Sequence, residues 1–371
     1  MLPCSGPVMF GFAKSVVTDE PNLHERAFAA GCTRLAVISL HPGAGARTVL
    51  ERSATEFHQR GIAVGVTRAP RLPLEQLTPG GGVPIRLPQG TIVATTRDSD
   101  VADQALEPLG PAFGRTSLGE LGLFRMRRTA AVRLYGPDDA ATMREVLERL
   151  DEESGGLALV DGAWERRAFA APAGAQAVVL VAGAGYSGRP ERSAAALRYI
   201  VEVLGLEQAD AAVLSAWPTG STSDSATVLN VLNGSSTVLD ARGEELAARL
   251  RSLDGETMIV LLPDSLHDDL LGPLSRSTIR CTLVVRDPTC IRVAPIYYRA
   301  WCKGGGAIRV IEPMRVLAVA TNPINGTGTD ADPERFRRLV SDTLPGLPIH
   351  DVVLEAERSA GRRLWSLLSK R

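Results

Sequence analysis

Short apolar runs alternate with longer helical segments along most of the chain. The runs are rich in Val, Ile, Leu and Thr, a composition typical of strands buried within a parallel sheet. In the first half, this pattern predicts strands over residues 35–40, 62–67, 91–96, 157–161 and 178–181. Strands that alternate with helices indicate an α/β fold, which we expect to be a mostly parallel sheet with flanking helices.

Two helices in the first half have clear end signals. The helix predicted over residues 47–60 ends at Gly61, and the helix over residues 138–152 begins with acidic residues in its first turn. Between them, residues 121–127 and 130–135 alternate in polarity. This alternation predicts a strand pair, inserted as an antiparallel hairpin.

The alternation of strands and helices resumes in the second half of the chain. It predicts strands over residues 258–262, 281–285, 308–311 and 315–320, and helices over residues 194–204, 243–253, 265–274 and 333–344. The last helix has strong start signals, because Asp332 supplies an N-cap and Pro333 fits the first helical position.

The length of 371 residues favours two domains. Glycine and proline cluster at residues 78–84 and 183–190, and the second cluster is the better candidate for a boundary. We therefore predict an N-terminal extension over residues 1–30, a P-loop-like α/β domain over residues 31–190, and a second α/β domain over residues 191–371.

The turn over residues 41–48 is the first candidate for chemistry. An apolar strand enters it, glycines form it and a helix follows it, which is the arrangement in which backbone N–H groups bind phosphate. With Gly45 as the last glycine of a G-x-x-x-x-G-K-[ST] pattern, Leu40 replaces the first glycine. Ala46 then replaces the lysine, and Arg47 replaces the hydroxyl residue.

The loop itself therefore has no lysine, and the chain as a whole contains only Lys14, Lys303 and Lys370. The candidate ligand of such a loop is ATP with Mg²⁺. The candidate contacts are Gly43, Ala44, Gly45, Arg47 and Thr48.

Asp161 is the second candidate, because it follows an apolar run that begins at Leu157. A carboxylate at the carboxyl end of a strand beside a phosphate loop helps to bind Mg²⁺ or its water shell. The alternative is that Asp161 and Gly162 only form a turn, since both residues favour turns. Glu165, Arg166 and Arg167 follow closely and are candidates for further anion contacts or for an exposed helix start.

The polar loop over residues 321–330 is the third candidate. It leaves the carboxyl end of a predicted strand, where α/β sheets place their ligand sites, and it contains Asn322 and Asn325. Residues 286–289 follow another predicted strand in the same way. Both segments also have the composition of plain connections.

Composition and motif searches exclude several other classes of protein. A formal net charge of −1 gives no reason to expect nucleic acid or a membrane surface as a partner. The five cysteines lack C-x-x-C spacing, and the five histidines have no metal-ligand spacing, so we expect no metal site. The cobalamin signature D-x-H-x-x-G is absent, and the N-terminus lacks the pattern of a secretory signal, which favours the cytosol.

Several segments together resemble the family of lysine 5,6-aminomutase reactivase B subunits. Residues 35–68 resemble its opening, and residues 157–183 resemble its most distinctive block through Val160-Asp-Gly-Ala-Trp-Glu-Arg-Arg-Ala-Phe-Ala-Ala-Pro172. Residues 284–289 and 315–333 resemble its C-terminal half, but the segment before residue 30 is not part of the match.

The resemblance implies a function that depends on partners. Such reactivases act with a MutS-like ATPase subunit to restore an adenosylcobalamin-dependent aminomutase of the lysine or ornithine type in amino-acid fermentation. Family members often have a loop of the form N-A-G-K-T-T, whereas this chain has Gly43-Ala-Gly-Ala-Arg-Thr48. The resemblance therefore implies a subunit that hydrolyses ATP weakly or not at all.

The residues also leave two other functions open. One is an independent P-loop enzyme, a kinase or an ATP-dependent ligase of the dethiobiotin-synthetase type, in which Arg47 replaces the lysine. Arginine is a poor replacement, because its planar fork makes different contacts from a compact ammonium group. The other is a non-catalytic α/β scaffold whose loop binds nothing.

Overall fold

The computed structural model describes residues 31–41, 43–69, 84–96, 102–186, 189–218, 225–231, 233–253, 258–324 and 331–351. These residues form two compact units. The larger unit contains residues 31–198 together with those from Arg315 onward, and the smaller unit contains Tyr199–Met314. Parallel strands and helices are present in both units, which confirms the predicted α/β class.

The elements are numbered in chain order. The strands are β1 (Arg34–Ser39), β2 (Val64–Arg68), β3 (Ile85–Leu87), β4 (Ile92–Thr96), β5 (Leu106–Pro108), β6 (Gly114–Thr116), β7 (Gly119–Met126), β8 (Ala130–Val132), β9 (Leu157–Ala163), β10 (Ala177–Gly183), β11 (Ala226–Asn230), β12 (Ser236–Leu239), β13 (Met258–Leu262), β14 (Leu266–His267), β15 (Cys281–Val285), β16 (Ile291–Arg292), β17 (Ala307–Val310), β18 (Val316–Asn322) and β19 (Ile349–Asp351). The helices are α1 (Ala46–Gln59), α2 (Ala102–Ala105), α3 (Ala140–Ser154), α4 (Pro190–Leu204), α5 (Ala211–Ala216), α6 (Gly243–Arg251), α7 (Asp268–Ser275), α8 (Pro295–Lys303) and α9 (Pro333–Thr343), with 3₁₀ segments at Trp164–Ala170 and Pro288–Cys290.

A ten-stranded sheet forms the centre of the larger unit. Its order is β19-β18-β10-β1-β9-β2-β4-β7-β5, and β6 pairs with β7 at one side. All pairings from β19 to β4 are parallel, whereas β7 is antiparallel to β4, β5 and β6. The continuous apolar runs of the sequence are the parallel strands of this sheet, because such strands are covered on both faces.

Helix α1 covers one face of the sheet beside β1. Its buried residues, which include Leu50 and Phe57, belong to the same core as Leu35 and Val37 of β1. Side chains alternate along a strand, so Ala36 and Ile38 of β1 face the opposite side of the sheet. Leu35 and Val37 of β1 therefore face α1, whereas Ala36 and Ile38 face away from it.

The predicted pairing of residues 121–127 with residues 130–135 is wrong. Both segments contain strands, but β7 pairs with β4, β5 and β6, and β8 pairs antiparallel with β3. Alternation of polarity identifies a strand with one covered face, but it carries no information about the neighbouring strand.

The smaller unit contains a five-stranded sheet of order β12-β11-β13-β15-β17. Strands β13, β15 and β17 are parallel, and the hairpin of β11 and β12 adds to them in the antiparallel direction. Leu261 and Val284 form a core with Val213 of α5.

The chain enters the smaller unit within α4 and returns to the larger one at Arg315. Strands β18 and β19 follow that return and pair in the ten-stranded sheet. The predicted division had assigned every residue after 190 to a second domain. It differs from the structure because glycine and proline mark loops, whereas the return of a strand to an earlier sheet leaves no local signal.

Candidate functional site

The candidate loop lies at the carboxyl end of β1, where the sheet changes its direction of winding. From β1 the chain leads through α1 to β2 on one side, and from β10 it leads eventually to β18 on the other. Strands β1 and β10 are neighbours, so the crevice beyond their carboxyl ends is the position at which open α/β sheets bind ligands.

Two glycines with positive φ form the turn before α1. Gly43 has φ of 82° and is exposed, and Gly45 has φ of 107° and is the residue before the first turn of the helix. No side chain caps this helix end, and the N–H of Ala44 donates to the carbonyl of His41 at 3.2 Å. The predicted sequence of strand, glycine turn and helix is therefore present.

The position of the missing lysine is occupied by a buried methyl group. Ala46 is 3% exposed and belongs to the core of the larger unit. Arg47 is on the outside of the helix, with its side chain 43% exposed and its Nε 3.9 Å from Oε1 of Glu51. An exposed ion pair with this large separation between its charged groups restrains the Arg47 guanidinium only weakly. Thr48 is half-buried in the same turn.

The end of β10 packs closely beneath the loop. A Cβ atom built on Gly183 would lie 2.8 Å from Nε2 of His41 and 3.1 Å from Cα of Ala44, so a side chain there would displace the His41 ring and press on the Ala44 backbone. The carbonyl of Gly183 accepts a hydrogen bond from Oγ of the buried Ser193 at 3.0 Å. The ring of His41 also contacts that of Tyr186, with 5.6 Å between the centroids.

The end of β18 brings Asn322 to the same loop. A Cβ atom built on Gly45 would lie 2.9 Å from Nδ2 of Asn322. The carbonyl of Asn322 accepts from the N–H of Ala184 at 2.9 Å, and its Oδ1 accepts from the N–H of Ile324 at 3.2 Å. The turn before α1 and the described start of the third candidate segment therefore meet at Asn322, whereas Asn325 lies outside the described residues.

Asp161 lies inside β9 and not in a turn, so the turn interpretation is wrong. It pairs in register with Arg68 of β2, and its Oδ2 accepts from Nε of that residue at 2.7 Å. Both side chains are buried, at 2% and 8% exposure. The Asp161 carboxylate therefore has a cation beside it already, and a Mg²⁺ contact would compete with this ion pair.

Residues 286–289 form a capped turn in the smaller unit. Asp287 is buried, and its Oδ1 accepts from the N–H and the hydroxyl of Thr289 at 2.7 and 2.6 Å. Burial, together with the charge of Asp287, raises the pKa of Glu312. This turn belongs to a different unit from the turn over residues 43–48.

Sequence reasoning missed several contacts around these strand ends. It placed Gly183 in a cluster of glycine and proline, and it gave no role to Ser193, which bonds to the Gly183 carbonyl, or to Arg68, which pairs with Asp161. Their signal lies in their partners rather than in their own positions, because parallel pairing brings together residues far apart in sequence.

Within the described residues, no group of three His, Cys, Asp or Glu side chains is arranged to hold a metal ion. None of the described helices is long and apolar enough to cross a bilayer.

The fold and the site define an α/β protein with a glycine turn and a helix at the switch point of a parallel sheet. Comparisons of the chain with family models, with curated proteins and with solved structures find no match.

Proposed function

We propose that this chain is the partner-dependent subunit of a reactivase that restores an adenosylcobalamin-dependent aminomutase. The observation that supports the proposal is a phosphate-loop scaffold without its lysine. The turn, the helix and the strand ends around it are closely packed, but the lysine position holds the buried Ala46. Such a site retains backbone N–H groups for an anion and lacks the cation that neutralises transferred phosphate.

The resemblance supplies the partners in this proposal. A MutS-like ATPase subunit provides the ATP turnover, and the client is a lysine- or ornithine-type aminomutase with damaged cofactor. In the proposed complex this chain binds the inactive mutase, and nucleotide at the Gly43–Thr48 turn regulates that binding without being hydrolysed quickly.

A reactivation assay tests this function. The full chain, the MutS-like ATPase, ATP and adenosylcobalamin are added to an aminomutase that has been inactivated by loading with hydroxocobalamin. We expect mutase activity to return only when both proteins are present. Full recovery with the ATPase alone, or steady ATP turnover by this chain alone, would contradict the proposal, and the second result would favour an independent P-loop enzyme.

A nucleotide titration tests the site. We expect a fluorescent ATP analogue to bind in the presence of Mg²⁺ and to bind more weakly to Arg47→Ala. Arg125→Ala is the matched control, because Arg125 is 48% exposed and pairs with Glu153, but lies on β7, several strands away from β1. If the wild-type chain did not bind the analogue, the nucleotide part of the proposal would be wrong, and the loop would belong to a scaffold that binds no nucleotide.

A further inference from the structure

The two edges of the five-stranded sheet differ. At β17 the chain itself continues the ladder, because the N–H of Val310 donates to the carbonyl of Glu207 at 3.1 Å and the N–H of Ala209 donates to the carbonyl of Val310 at 2.8 Å. At β12 residues 236–238 are exposed, with Val238 at 66%. Among the described residues, no strand or loop continues the sheet beyond β12.

The register of the β11–β12 hairpin shows which backbone groups face that open edge. The N–H of Asn230 donates to the carbonyl of Ser235 at 2.9 Å, so these two residues are a hydrogen-bonded pair. Hydrogen-bonded and non-hydrogen-bonded pairs alternate along an antiparallel ladder, which places Thr237 in the next hydrogen-bonded pair. Ser236 and Val238 therefore direct their own N–H and C=O groups away from β11, where a further strand can pair with them.

The side chains of β12 do not protect this edge. Exposed edge strands are often guarded by charged side chains or by proline, and the strand Ser236-Thr-Val-Leu239 contains neither. By the pairing register, Val238 projects from the same sheet face as Leu229 and Ile259, which are only partly buried. The edge thus combines free backbone groups with an exposed apolar side chain.

We propose that β12 pairs antiparallel with β12 of a second copy of this chain, with Val238 opposite Val238 of that copy. Directly opposite residues of an antiparallel pair are related by a local two-fold axis, so a closed dimer sets one residue opposite its own copy. The outward direction of the backbone groups limits the central residue to Ser236, Val238 or, one step further along, Asp240.

Charge and apolar contact select the central residue. A centre at Asp240 would set two carboxylates opposite each other, which destabilises a strand pair. A centre at Ser236 would set Val238 opposite Gly234 and leave its side chain without an apolar partner. A centre at Val238 joins the two valines and sets Asp240 opposite Ser236, whose hydroxyl can donate to that carboxylate. The edge is therefore complementary to itself, which favours a second copy as its occupant.

The paired strands form a small interface, because each copy contributes little more than the four residues of β12. We therefore expect a reversible dimer that forms above about 10 µM protein. This association uses only the smaller unit and involves no nucleotide, so it goes beyond the proposed reactivase function.

Sedimentation of the full chain over a range of concentrations tests the proposal. We expect the average mass of the wild-type chain to rise from monomer toward dimer as the concentration increases. Val238→Lys should weaken dimerisation at least tenfold, because it sets two ammonium groups opposite each other across the axis. Val231→Lys is the matched control, since Val231 is also exposed, at 59%, but lies in the hairpin turn outside the paired register. It should dimerise within twofold of the wild-type chain.

Cross-linking tests the register separately. Val238→Cys treated with a short bismaleimide should give a peptide that joins position 238 of two copies, whereas Val231→Cys should give no such link at position 231. A dimer that Val238→Lys does not weaken, or one without the link at position 238, would overturn the proposal. A monomer at every concentration would also overturn it, and would leave the edge to an extended segment of another protein.

Discussion

At the residue scale, the loop makes close contacts at two glycines, where an added side chain would displace its neighbours. Asn322 packs against Gly45, and His41 packs over Gly183. These contacts join the carboxyl ends of three neighbouring strands, so a change at one residue is expected to affect the others.

Gly45→Ala should destabilise the protein more than Gly43→Ala. Both glycines have positive φ, which costs about 1 kcal/mol for alanine. Only the Cβ at position 45 meets Asn322, whereas nothing lies within 4 Å of a Cβ at position 43. We expect urea unfolding to show a loss larger by about 1 kcal/mol or more for Gly45→Ala.

The double variant Gly45→Ala with Asn322→Ala checks the cause of that difference. Removing the Asn322 amide should recover part of the loss, so the two effects should not add. Strictly additive effects would show that backbone strain alone is responsible.

Asp161→Ala should be strongly destabilising, because it leaves the buried Arg68 guanidinium without this carboxylate. The expected loss in unfolding free energy is about 3–5 kcal/mol. The paired replacement of Asp161→Leu with Arg68→Met should be much less harmful, since it removes both charges and retains volume. Chemical denaturation of the single and paired variants measures their unfolding free energies. If the paired variant lost as much stability as Asp161→Ala, the assigned coupling between Asp161 and Arg68 would be wrong.

At the element scale, the sequence predicted the longer buried parallel strands and six of the nine helices in the described residues, but not the parallel strand β19 or the helices α2, α5 and α8. Asp332 caps α9 as predicted, with its Oδ1 accepting from the N–H of Arg335 at 2.6 Å. Short strands such as β3 and β6 were missed, because three residues are too few to establish a period. The turn at Gly43 and Gly45 was predictable from residue types, but its contact with Asn322 was not, since it depends on the position of β18.

The cap of α3 gives a pH-dependent prediction. Oδ1 and Oδ2 of Asp139 accept from the N–H and the hydroxyl of Thr142, and these bonds hold the pKa of Asp139 below its ordinary value of 3.8. A lowered folded-state pKa stabilises the fold above about pH 3.8, and that contribution is lost as the pH falls through the lower folded value.

Asp139→Ala should therefore lower the unfolding free energy by about 1 kcal/mol at pH 7. The difference from the wild type should shrink at pH 3. Urea unfolding at the two pH values measures both effects, and a difference that stays constant with pH would argue against a charged cap.

At the scale of the whole molecule, each unit has its own sheet and its own buried core. In the smaller unit, burial raises the pKa of Cys281 to about 12, and burial with the nearby charge of Asp287 raises that of Cys290 to about 11. The thiolate is the reactive form of cysteine, and the raised pKa keeps these two thiols protonated in the folded unit. Their rate of modification therefore reports on whether this unit is folded.

Iodoacetamide at pH 8 should modify Cys281 and Cys290 roughly 100-fold more slowly in the folded protein than in urea. Peptide mass spectrometry gives the rate at each cysteine. Rapid modification of either residue in the folded protein would show that the smaller unit opens readily or that the thiol is not buried.

The order of the strands has a consequence for synthesis on the ribosome. Strand β10 is complete at Gly183, but its neighbour β18 begins only at Val316, after the whole smaller unit has been made. Translation at about 5–20 residues per second leaves the edge of β10 without that neighbour for on the order of ten seconds. The nascent larger unit thus has an open, apolar sheet edge during this interval, and a chaperone that shields such edges should increase the yield of folded protein.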